Sequence, residues 1–95
     1  MRLKPDFAEA HHGLGMALAR KGQAQAAIYE FLQALRFRSD FAEAHYGVAV
    51  LLANEGKFDD AISHLYGALQ LEPGSERFRR ALDELQRMKA QPATQ

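Results

Sequence analysis

Ala8-Glu9-Ala10-His11-His12-Gly13 returns as Ala42-Glu43-Ala44-His45-Tyr46-Gly47, and the echo runs on through Leu18/Leu52, Gly22/Gly56, Ala27/Ala61, Ile28/Ile62, Ala34/Ala68 and Leu35/Leu69. Each pair stands 34 positions apart. A chain that repeats itself at this interval must stack like units, because one unit exposes an apolar face that only a neighbour can bury. The period is that of a pair of helices joined by a tight turn.

Apolar spacing assigns the helices. The first covers about residues 7–21, with Ala10, Leu14, Ala17 and Leu18 on one face, and Gly22 ends it by taking a left-handed turn without a Cβ penalty. The second covers about 24–37, with Ala27, Ile28, Phe31, Ala34 and Leu35 inward. Gly15 and Ala27 are small enough to let this pair cross closely. The second unit repeats the plan over about 41–55 and 58–71, with Ala44, Val48, Leu51 and Leu52 inward on its first helix, and Pro73-Gly74 closes it. Asp6/Glu9 and Asp40/Glu43 have capping-box spacing at the heads of the two first helices. A last helix over 75–90 carries one narrow apolar stripe of Phe78, Ala81, Leu82, Leu85 and Met88 under a charged cover, as the end of a stack requires. Its Glu76/Arg80 and Asp83/Arg87 pairs have i,i+4 spacing. Residues 91–95 show no pattern and are expected to be disordered.

The opening Leu3-Lys4-Pro5-Asp6-Phe7 shares its register with Phe37-Arg38-Ser39-Asp40-Phe41. Residues 1–6 therefore read as the end of a preceding unit, which makes the chain a piece of a longer array. The division expected is 1–6, a first repeat over 7–40, a second over 41–74, a capping helix over 75–90 and a tail over 91–95. With no helix before it, the outward face of the first helix should be open and able to drive self-association.

The repeated residues resemble the tetratricopeptide repeat, whose pattern runs W-x2-L-G-x2-Y, A-x3-F, P. Unit one supplies His11, Leu14, Gly15, Leu18, Ala27 and Phe31, with Ser39 at the proline position; unit two supplies His45, Val48, Ala49, Leu52, Ala61, Leu65 and Pro73. The departures alter volume and polarity but keep the small-residue pattern. The resemblance implies an all-α solenoid of two antiparallel helix pairs plus a capping helix. It also implies a concave groove along the first helix of each pair, which in the family takes peptides. Carried over position by position, that groove falls on Glu9, His12, Met16 and Arg20 in unit one and on Glu43, Tyr46, Val50 and Asn54 in unit two. Family members that clamp chaperone carboxylates use Lys and Asn at positions held here by His12, Gly13, Met16, Tyr46 and Val50, so that chemistry is not expected.

Composition narrows the alternatives. The net charge is zero with both signs interspersed, which disfavours binding to nucleic acid or an anionic membrane. The absence of cysteine excludes disulfides and thiol chemistry without fixing the compartment, and no run approaches the ~20 apolar residues of a membrane span. A cytoplasmic setting is the expectation. His11 and His12 point about 100 degrees apart on a helix and cannot easily share a metal. No HExxH spacing or Cys/His cluster accompanies them, so His11 and His45 are expected to fill aromatic slots and His64 to be solvated. Ser39, Ser63 and Ser75 are scattered, and Glu9 and Glu43 read as caps, so nothing argues for catalysis, a cofactor or a metal. The function expected is a protein-interaction scaffold with a protein or peptide partner. The rivals are a spacer or self-assembly segment of a longer array and a substrate-presenting part of a larger enzyme.

Overall fold

The computed structural model describes residues 7–91. They form α1 (Phe7–Arg20), α2 (Ala24–Phe37), α3 (Ala42–Asn54), α4 (Phe58–Leu71) and α5 (Glu76–Ala90), with no strand among the described residues. This is the all-α solenoid expected. The readings placed on residues 1–6 and 92–95, Asp6 included, lie outside the described residues.

The turns within the two pairs are alike because their glycines are. Gly22 and Gly56 have φ of 81° and 80°. Around them the Gln23 and Lys57 amides donate to the carbonyls of Leu18 and Leu52, each at 2.9 Å, while the Gly22 and Gly56 amides donate to Ala19 and Ala53. That is the Schellman pattern, which satisfies carbonyls a helix end would otherwise orphan. Helix starts depart from expectation. The cap of α3 is Phe41, with no side-chain bond, so Asp40 sits one residue outside the cap and Glu43 does not reach back to form a box. Ser75 does cap, accepting from the Phe78 amide at 3.1 Å. The Glu76–Arg80 pair forms at 3.5 Å, whereas Asp83 and Arg87 make no such pair among the described residues.

Small residues let the helices of a pair approach. Ala27 and Ala61 are fully buried, as is Ala49 opposite Ala61. One core cluster joins Ala27 and Phe31 of α2 to Val48 and Leu51 of α3; the other joins Ala49, Ala61 and Leu65 to Phe78, Leu82 and Leu85. Helix α5 therefore lies on α4 as α3 lies on α2. Its Phe78, Leu82 and Leu85 stand 34 residues beyond Ala44, Val48 and Leu51 and are buried like them.

The same register exposes a gap on α1. Leu14 is 48% exposed where its counterpart Val48 is 1% exposed, and Ala10 and Ala17 are exposed where Ala44 and Leu51 are buried. Helix α2 covers that face of α3, and no described residue covers it on α1.

Candidate ligand groove

Stacking places α1, α3 and α5 side by side, so residues at one register line a common surface. Two depressions result. The one between α1 and α3, about 290 Å3, is lined by His12, Met16, Arg20, Glu43, Tyr46 and Val50 over a floor of Phe31 and Leu51. The other, about 240 Å3 between α3 and α5, takes Asn54 and shares Tyr46 and Val50. The eight residues picked from the sequence thus divide: six meet in the first depression, Asn54 belongs to the second, and Glu9 lines neither. Glu9 is exposed, with Arg38 at 3.9 Å.

Helix α5 supplies a wall that the sequence-based assignment left out. Arg77 lines the first depression, and Glu84, Leu85 and Met88 line the second. The 34-residue register pointed to them, since Arg77 follows Glu43 and Glu84 follows Val50 at that interval. The dense charge of α5 obscured the correspondence.

Charge and ring contacts set how stiff the groove is. Arg77 donates to the Glu43 carboxylate, and its guanidinium lies 4.9 Å from the Tyr46 ring centroid and 5.1 Å from that of Phe78. Tyr46 and Phe78 are themselves 5.2 Å apart. Tyr46 is thus part of the α3–α5 contact as well as the groove wall. Glu43, read from the sequence as a cap, instead ties α3 to α5. His12 packs between Phe31 and Phe41, at 5.4 and 4.8 Å. Burial lowers its pKa below the usual imidazole value, against the opposing fields of Glu43 and Glu9. Met16 and Val50 are exposed, and Arg20 meets no carboxylate among the described residues. The arrangement is an apolar strip with an ion pair at one end and an available cation at the other.

The remaining histidines lie at the contacts within each pair. His11 stacks on Phe37 at 5.5 Å and its Nδ1 meets Glu30 Oε1 at 2.7 Å. Its counterpart His45 meets His64, Nδ1 to Nδ1, at 3.2 Å. His64 is half-buried rather than solvated, because α4 turns it toward α3. Burial lowers the pKa of both His45 and His64, and each is also affected by a neighbour: the Ser39 carbonyl favours charged His45, whereas His45 disfavours charge on His64. Among the described residues no group of three or more ligating side chains could hold a metal.

This is the geometry of a helical-repeat protein. Residues 8–41 match the family model of the tetratricopeptide repeat, and the described residues share the fold of a tetratricopeptide-type helical solenoid, which is in keeping with a protein-interaction module in general. Two solved structures, "Crystal structure of MamA protein" and "Crystal structure of MamA", each superpose on 88% of this chain with a TM-score of 0.85 at 26% identity. The chain spans 46% and 49% of those two chains, about half of each. No curated protein matches it. Among the described residues no helix is long and apolar enough to cross a membrane.

Proposed function

We propose that the chain is a scaffold that binds an extended or helical segment of a protein partner in the groove between α1 and α3. The observation that carries this is the strip of exposed Met16 and Val50 beside half-buried Tyr46, with the Arg20 guanidinium at its rim. Met adapts to varied apolar partners, and Arg and Tyr are common interface anchors. The ligand chemistry that fits is a run of apolar side chains followed by a carboxylate to meet Arg20. Nucleic acid is not the expected ligand, because Arg77 is neutralised by Glu43, Arg20 alone is left as a rim cation, and the chain has no net positive charge.

Panning a random peptide library against the chain and a Met16→Glu/Val50→Glu variant tests the proposal. Both side chains are exposed, so the variant should keep its fold, which circular dichroism verifies. Enriched peptides that share a motif and fail on the variant support the groove. Peptides indifferent to the change, or no enrichment, favour a spacer role.

A second role has its own support. The open face of α1 around Leu14 matches the face of α3 that α2 covers, so a second copy of the chain could associate there. Light scattering at rising concentration, with Leu14→Ser beside the unchanged chain, tests it; a mass that stays monomeric in both removes it.

A further inference from the structure

The contact between His45 and His64 does more than a hydrogen bond requires. One residue comes from α3 and the other from α4, and the register is the one that joins His11 to Glu30 in the first pair, 34 residues earlier. The fold thus brings two ligating side chains together at the same place twice, once as imidazole and carboxylate and once as two imidazoles. Only the second places two nitrogen donors face to face.

Their separation suits a metal. With Zn–N bonds of about 2.0–2.1 Å, two ligands of a tetrahedral centre stand about 3.3–3.4 Å apart, close to the 3.2 Å found here. The surroundings also fit. The Ser39 backbone lies near enough to the His45 ring to favour its charged form, against the burial that lowers its pKa. Gly67 makes room for the ring, since a β-carbon there would stand 3.3 Å from His45 Cε1. A shallow cavity of about 200 Å3 is bounded by His45, Ser63 and His64, with space for water ligands. Asp60, one turn before His64 on α4, adds a negative field at the pair.

We propose that His45 and His64 chelate one divalent ion of the zinc class through their Nδ1 atoms, with water completing the coordination. Such a site pins α3 to α4 on the side away from the peptide groove. With two protein ligands it exchanges its ion readily and differs from a closed four-ligand structural site.

Calorimetric titration of the chain with zinc chloride near neutral pH tests the proposal. One ion should bind per chain, and His45→Gln and His64→Gln should each weaken binding at least tenfold, while His11→Gln and His12→Gln leave it unchanged. Binding that survives His64→Gln, binding that depends on His11 or His12, or no binding at all would overturn it. Ring-nitrogen NMR of the unchanged chain gives a reading independent of any variant's folding. Added zinc should shift His45 and His64 together, and a shift confined to other histidines rejects the site.

Discussion

The ring of Phe31 occupies the space a side chain on Gly47 would need: a β-carbon there would stand 2.8 Å from ring Cε2. Gly15 faces the opposite edge of the ring, where its own β-carbon would come within 2.8 Å of Cδ1. One phenyl group from α2 is therefore held between the backbones of α1 and α3, and it sets the spacing of the two helices that form the groove.

Gly47→Ala should accordingly destabilise the chain. Overpacking costs about 1–3 kcal/mol, against about 1 kcal/mol gained in helix propensity, so a net loss is expected. Gly13, on the same helix as Gly15, has nothing within 4 Å of the position its β-carbon would take. Gly13→Ala should gain up to about 1 kcal/mol from propensity alone. Denaturant unfolding of the two variants side by side gives opposite signs if Phe31 sits as described. The same sign for both would place the ring elsewhere.

Val48 and Leu14 share a register but not an environment. Val48→Ala removes two buried carbon atoms beneath α2 and should cost about 1.5–2.5 kcal/mol. Leu14→Ala removes more carbon from an exposed site and should change stability by less than about 0.5 kcal/mol. Thermal melts at low concentration, where any self-association is suppressed, decide between this and equal burial of the two.

Among the described residues Phe78 is the largest fully buried side chain, and it fixes α5 to the stack. Phe78→Ala should cost about 3–5 kcal/mol and release α5, opening the depression between α3 and α5. Arg77→Ala should cost far less, about 0–1 kcal/mol, since its ion pair with Glu43 is partly exposed. Hydrogen exchange would show the release as lost protection confined largely to α5 in Phe78→Ala. Uniform loss along the chain would mean that the stack unfolds as one unit.

The fold was legible because the features that determine it repeat. Ala27, Ala34, Ala61 and Ala68 recur at fixed intervals and all are fully buried, and two glycines at one register adopt the same left-handed turn. The ends of helices were less legible. Asp40 and Glu43 have capping spacing, yet the helix begins one residue too late for Asp40 to cap, a shift that local pattern cannot resolve. The lining of the depression between α1 and α3 was legible where both walls repeat each other, as at Met16 and Val50. It was missed on α5, where Arg77 and Glu84 carry the register in a different chemistry. The His64 side chain was misplaced because a lone histidine on a helix carries no sequence signal for a partner nineteen residues earlier.

His12 connects the groove to pH. Packed between Phe31 and Phe41, it has a pKa lowered by burial, with Glu43 and Glu9 pulling in the opposite direction. A histidine whose pKa is lower in the folded state than in the unfolded chain binds fewer protons when folded, so stability falls as pH drops through the unfolded value of about 6.5. The loss is complete only below the folded value. His45 and His64 are lowered as well and act in the same direction. In a buffer containing a chelator, the melting temperature should therefore decline between about pH 7.5 and about pH 5.5. NMR titration of the His12 ring should give a midpoint below the ordinary one, and Glu9→Gln should lower it further by removing one of the two fields that oppose burial. A His12 midpoint at or above the ordinary value, or one that rises in Glu9→Gln, would mean that the ring is not held between Phe31 and Phe41 beside these carboxylates.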